Sequence, residues 1–342
     1  MRSHLRTLIV LALAVALLGL VLYNVDLRGV WREILHAEPE WLALSLATMF
    51  VNLAIRAWRW QYLLEPLGTP SFGNAFRATA VGFAASSILP ARAGEVIRPY
   101  FLARHERMSA TGAFATVIVE RVLDLLTVLV LLASYVFVFR PDTAGDNVVA
   151  FEAVKWAALT AAIGAIAALV VLFVLAGNPK RLAASLTRLE HLLPSRLAGL
   201  LARIAEKFIA GLGVVRRPVR LLGALVLSFP LWLSITLGTW TTCVAFHLAV
   251  PFTGSFLITA LLVGGVAVPT PGAVGGFHAA FKIAATTFFG ASDDAAVGAA
   301  IVLHAITQGS QLALGLFFAA QEGLNVAGMR QLADQAESTR TV

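Results

Sequence analysis

Six apolar runs, at 7–24, 41–60, 112–139, 150–176, 221–248 and 296–322, dominate the chain. Each is close to the roughly 20 residues that carry a helix across bilayer hydrocarbon. Only 13% of residues are charged, about half the share of a soluble domain, and no long polar block provides a second, soluble unit. An all-α polytopic membrane protein follows. Lys and Arg exceed Asp and Glu by 26 to 19, but the basic residues sit in the connections between apolar runs, where they set orientation in a bilayer. Nucleic acid is therefore not an expected partner. The single cysteine, Cys243, lies in an apolar run and reads as a packing residue.

Residues 1–24 resemble a signal peptide, with Arg2, His4 and Arg6 ahead of the apolar stretch. The Ala14-Val15-Ala16 triplet lies inside that stretch and not after it, so an uncleaved first helix with a cytoplasmic N-terminus is expected.

Two further apolar regions, 72–104 and 255–290, are interrupted by Pro90 and Gly94, and by Pro269, Pro271, Gly272, Gly275 and Gly276. Their halves are too short to span. If 72–89 crossed, the basic stretch Arg98, Arg104, His105 and Arg107 would lie outside, against the positive-inside tendency. A hairpin entering and leaving from the cytoplasm removes the conflict. The threading then puts a mixed loop, 25–40, and the acidic Asp142 and Asp146 outside, with Lys180 to Arg220 inside. Residues 180–216 alternate basic and apolar groups and read as amphipathic helix on the anionic inner leaflet. Pro230 should kink its helix.

The broken regions share a pattern. FAASSILPARAGEVIRPYFLA (83–103) and VGGVAVPTPGAVGGFHAAFKIA (263–284) each contain Pro-x3-Gly, and each precedes a helix with polar residues at matching depth: Glu120, Arg121 and Asp124 after the first, His304, Thr307 and Gln308 after the second. Three spans separate the breaks, an odd number, so the repeats should be inverted, with a site where the breaks meet. The expectation is about six spanning helices plus two re-entrant hairpins, forming one transmembrane domain over 1–328 with a polar tail at 329–342.

Irregular backbone at membrane depth must line a wet cavity or be buried in protein, and ionisable groups there are functional candidates. Arg92, Glu95 and Arg98 are placed in a cytoplasm-facing vestibule, where the helix beginning after Gly94 favours an anion. The competing reading is that Arg92, Glu95 and Arg98 only pair internally, Glu95 and Arg98 being three residues apart on one helical face. Glu120, Arg121 and Asp124 must face the bundle interior, either as a structural ion-pair group or with Glu120 as a proton-coupling carboxylate. Arg56 and Arg59, flanking Trp58 and followed by Trp60, read as a snorkelling basic and aromatic belt. His278 and Lys282 share a face of the second hairpin's outer arm. No metal site is expected, because His278 and His304 lack a cysteine or carboxylate at ligand spacing, and no cofactor is expected. Ser292-Asp293-Asp294 reads as a helix N-cap.

LPARAGEVIRPYFLAR (89–104), ERVLDLL (120–126) and PTPGAVGGFHAAF (269–281) resemble the motifs of the lysylphosphatidylglycerol synthase transmembrane-region family, the flippase-like domain proteins. That family includes the membrane half of the multiple peptide resistance factor and hopanoid-associated relatives. The resemblance implies a lipid translocator of the bacterial-type cytoplasmic membrane, and not an enzyme. Its lipid-headgroup residues would be Arg92, Glu95, Arg98 and Arg121, and charge or proton coupling would fall to Glu120 and Asp124. Anionic membrane lipids are the expected partners, with a second copy or lipid-synthesis enzymes as further ones. Two features depart from the pattern. Ala273 and His278 stand where relatives carry a glycine and a glutamate, and the soluble aminoacyl-transferase domain of fused relatives is absent, so lipid aminoacylation is not expected. A transferase acting on a lipid carrier, and a non-catalytic partner recruiting enzymes through the basic 180–220 surface, remain the alternatives.

Overall fold

The computed structural model describes residues 12, 15–19, 21–22, 25–89, 93–139, 148–177, 207–268 and 270–323. From residue 25 onward the ordered framework is α1 (Leu27–His36), α2 (Pro39–Leu64), α3 (Phe72–Ile88), α4 (Gly94–Glu106), α5 (Ala110–Ser134), α6 (Val148–Gly177), α7 (Pro218–Ala245), α8 (Gly254–Ala267), α9 (Gly276–Phe289), α10 (Asp293–His304) and α11 (Ser310–Gln321). A π-helical turn, Ala305–Gly309, joins α10 to α11 in one rod. Five helical stretches are long and apolar enough to cross a membrane: Pro39–Leu67, Ala110–Phe139, Val148–Gly177, Pro218–Ala245 and Asp293–Gln321. They correspond to five of the six expected runs. The other, 7–24, lies largely outside the described residues, as does most of the amphipathic segment at 180–216.

Local chemistry starts several of these helices. Ser71, Ser109 and Ser292 accept hydrogen bonds from the backbone N–H groups of Asn74, Gly112 and Ala295, closing the first turns of α3, α5 and α10. The Ser292 cap is the one expected from the sequence. Pro39 and Pro218 open α2 and α7, where the missing N–H leaves no intrahelical bond unmade. Helix α7 continues through Pro230.

Both broken regions are antiparallel helical hairpins, and glycines set how closely their arms approach. A Cβ on Gly94 would overlap the carbonyl oxygen of Gly82 on the opposite arm, and Gly265 and Gly276 meet in the same way. The open end of the first hairpin is fastened by Glu106, whose Oε1 accepts from the Ser71 backbone N–H (2.9 Å), the Ser71 hydroxyl (3.0 Å) and the Asn74 amide (2.7 Å). In the second, Gly254 sits against the Phe289 ring.

The bases of the hairpins lie at opposite ends of the bundle. Helix α5 follows the base of the first hairpin and ends where Tyr135 packs on Phe289 at the base of the second, ring centroids 6.3 Å apart. Its 25 residues separate the two bases by about 38 Å. The α10–α11 rod runs the other way, from the base of the second hairpin to Glu322, whose carboxylate accepts from His105 Nε2 at 3.0 Å beside the base of the first. One offset, 183 residues, relates cap Ser109 to Ser292 and Gly82 to Gly265. The two broken regions thus share one backbone offset, with their bases at opposite ends of the bundle.

Helices α2 and α7 pair at the centre. Small and hydroxyl residues hold the seam: Ser45 donates to the Gly238 carbonyl (2.9 Å) and Asn52 donates to the Leu231 carbonyl (3.0 Å). Such contacts replace the hydrophobic drive that lipid removes. Cys243 is fully buried there, a packing residue as read. The expected loop at 25–40 is mostly helix instead: Asp26 caps α1, and Val30 is buried against Val297. Apolar residues at 27, 30, 31, 34 and 35 supply the helical period that the mixed charges obscure.

Candidate functional site

Helices α2, α4, α5 and α7 converge on a cluster of buried charge. Glu120 on α5 accepts from Arg59 Nη2 at 3.2 Å and from Arg98 Nη1 at 2.8 Å. Asp124, one turn on, accepts from Arg59 Nη1 at 2.6 Å, Arg56 Nη1 at 3.3 Å and the Trp232 indole N–H at 3.0 Å, with Arg121 Nη1 at 3.7 Å. Arg59 also donates to the Ser228 hydroxyl at 2.6 Å. Four guanidinium groups thus share the two carboxylates of Glu120 and Asp124.

This arrangement corrects the sequence reading of Arg56 and Arg59. They are 5% and 0% exposed, and form ion pairs in the bundle interior, so they are not a snorkelling belt. Trp60, between α4 and α5, is likewise buried, and only Trp58 faces outward. The acidic pair on α5 drives the difference: two carboxylates at depth need more counter-charge than Arg121 can supply. Arg98 pairs across helices with Glu120.

Beside this cluster the tips of both hairpins enclose a cavity of about 160 Å³. One wall carries Ser86, Glu95 and Arg98 from the first hairpin and Arg121 from α5. The facing wall carries Thr270, Pro271, Gly272 and Ala273 from the second hairpin, and Gln308 from the π-helical turn. Arg121 stands about 16 Å along α5 from its start, so the cavity lies mid-bundle. Two donors of Arg98, Nε and Nη2, are buried without a hydrogen-bond partner, as is the Thr270 hydroxyl. Native interiors rarely leave charged donors unpaired.

The second break needs left-handed backbone. Gly272 (φ 57°) and Gly275 (φ 87°) adopt it without cost, whereas Ala273 (φ 58°) adopts it with a Cβ present. His304 Nε2 donates to the Gly272 carbonyl at 2.8 Å, and its ring lies 4.7 Å from that of His278. By the repeat offset His278 answers to Glu95 and His304 to Arg121. Lys282 turns away from the tip, donating to the Val21 carbonyl (3.1 Å) and lying 3.3 Å from Asp293. Among the described residues, no group of three or more His, Cys, Asp or Glu could hold a metal ion. Pro90, Arg92 and Pro269 lie outside the described residues.

The Lysylphosphatidylglycerol synthase TM region family matches residues 7–315. Curated relatives include the UPF0104 membrane protein MJ1595 of Methanocaldococcus jannaschii, 29% identical over 30% of this chain and 32% of its own. A UPF0104 membrane protein of Methanothermobacter thermautotrophicus is 29% identical over 41% of this chain and 40% of its own. Glycosyltransferase AglD of Haloferax volcanii is 29% identical over 34% of this chain and 19% of its own. The matched stretches thus cover less than half of each relative. With apolar helices of spanning length and a family match over nearly the whole sequence, the chain is a multi-pass membrane protein of the lysylphosphatidylglycerol synthase transmembrane-region family.

Proposed function

We propose that the protein moves a lipid with an anionic, phosphate-bearing headgroup between leaflets of the cytoplasmic membrane, with both termini on the cytoplasmic side. The observation that carries this reading is the mid-bundle cavity walled by Arg98 and Arg121 with Glu95, beside a cluster in which four guanidinium groups share two carboxylates. An entering phosphate would satisfy donors that Arg98 now holds unpaired, and guanidinium forks suit phosphate oxygens. Arg98 and Arg121, with Arg92, hold the headgroup while the acyl chains remain in lipid. Glu95 tunes the charge of the wall, and Glu120 and Asp124 carry charge or proton coupling. Hairpins opening at opposite ends, with tips meeting at one site, suit alternating access.

The test is reconstitution in liposomes containing fluorescent phosphatidylglycerol or a neutral-headgroup analogue, reading the fraction reached by a membrane-impermeant quencher. Faster access for the anionic lipid, lost in Arg98→Gln and Arg92→Ala, is expected. Equal rates for protein-containing and empty liposomes would sink the proposal for that lipid. The similarity to glycosyltransferase AglD supports a second reading, a membrane unit serving glycosyl transfer to a lipid carrier. Sugar transfer to an added lipid carrier by the purified protein would favour it.

A further inference from the structure

We infer that Trp60 is the positioning residue of the site: its indole face holds the Arg98 guanidinium in the orientation that keeps one edge available for an oxyanion. The inference rests on the anion-binding reading above. The Arg98 guanidinium carbon lies 3.8 Å from the centroid of the Trp60 ring, a stacked cation–π contact. Trp60 is itself fixed. It is 0% exposed, and its indole N–H donates to the Thr116 hydroxyl at 3.0 Å, whose own proton goes to the Ala113 carbonyl at 2.7 Å. With that proton committed, the hydroxyl can only accept from the indole, so the hydrogen bond has one direction and the ring one orientation.

Arg98 is thereby restrained twice, by the ring beneath its plane and by Glu120 at Nη1 (2.8 Å). What remains is the edge formed by Nε and Nη2. These carry two parallel N–H groups matched to two oxygens of one phosphate, and both are unpartnered. Glu95 lies three residues earlier on α4 and also lines the cavity, so a guanidinium free to swing has a carboxylate on its own helix face to approach. Trp60 decides between those outcomes. Helix α2 thus supplies both the counter-charge for α5, from Arg56 and Arg59, and the platform for α4, from Trp60.

The test uses the full-length protein in detergent micelles, with dihexanoyl-phosphatidylglycerol as probe and dioctanoylglycerol, which lacks a phosphate, as control. Site-specific incorporation of tryptophan carrying one to four fluorines at position 60 drains the ring's negative face while keeping its shape. Affinity for the phosphate probe should fall stepwise, by about tenfold across the series, with binding of the control and the melting temperature unchanged. Trp60→Phe should retain most of the affinity, and Trp60→Leu should lose about tenfold. A flat fluorination series, with Arg98→Gln still abolishing probe binding, would overturn the role of Trp60 alone. Equal probe binding by wild type and Arg98→Gln would overturn the anion site, and the role of Trp60 with it.

Discussion

Replacing Glu120 with glutamine removes one charge from the buried cluster while preserving shape, and the geometry sets the size of the effect. Glu120 is fully buried, with Oε1 3.2 Å from Arg59 Nη2 and Oε2 2.8 Å from Arg98 Nη1. Glutamine offers one acceptor oxygen, and its NH2 would face a guanidinium donor on the other side. The shorter bond, to Arg98, keeps the oxygen, so the donor–donor clash falls on Arg59. That residue retains Asp124 and Ser228, each at 2.6 Å. Removing one partner of a buried ion pair costs about 3–5 kcal/mol, and the surviving partners of Arg59 place Glu120→Gln near the lower figure. Asp124→Asn should cost more, because Asp124 serves Arg56, Arg59 and the Trp232 indole at once. Unfolding in mixed micelles by added dodecyl sulfate reads the free energy, and a thermal melt should fall by roughly 6 °C or more. Unfolding of Glu120→Gln within about 1 kcal/mol of wild type would refute the assignment of Glu120 as a charged partner of both arginines.

Other perturbations read different parts of the structure. Gly94→Ala drives a methyl group into the Gly82 carbonyl and the Ser86 hydroxyl. It should prise apart the arms of the first hairpin at a cost of about 3 kcal/mol, seen as a lower melting temperature and loss of amide-exchange protection in α4. Ala273→Gly relieves a side chain held at φ 58° and should stabilise by about 0.5–1 kcal/mol in the same unfolding assay. At the base of the first hairpin, burial opposes the charged form of His105, but the Phe101 carbonyl and the Glu322 carboxylate outweigh it and hold the imidazole above its ordinary pKa. The contact with Glu322 is therefore complete below the ordinary histidine value and is lost as pH rises through the raised one. Glu322→Gln should move the His105 titration, followed by NMR, to lower pH.

Hydropathy alone located the spans from 41 to 322, because lipid demands about 20 apolar residues wherever a helix crosses. The hairpins were legible from Pro-x3-Gly, and their opposed bases from the odd number of helices between them. The partners of Glu120 and Asp124 were not legible. An Arg-Ala-Trp-Arg-Trp run near a helix end matches the composition of an interfacial belt, and which face of α2 turns inward depends on its pairing with α7. One signal was available: Arg56 and Arg59 are i,i+3, the spacing needed to meet two carboxylates placed i,i+4 on a neighbouring helix. Helix α1 was obscured because Arg28, Arg32 and Glu33 are interspersed with its apolar residues, three of which, Leu27, Trp31 and Leu35, are themselves exposed.

The backbone repeat has no counterpart in the charges. Where one half sets Glu95 and Arg121 in the cavity wall, the other sets His278 and His304, two imidazoles tilted at 44° to each other that do not line it. Among the described lining residues, charged side chains therefore stand only on the side of the first hairpin and the helix that follows it. A bound anion would settle off-centre, nearer Arg98 and Arg121, and would leave toward the second hairpin away from both guanidinium groups. Two routes alike in shape would differ in the height of their final barrier.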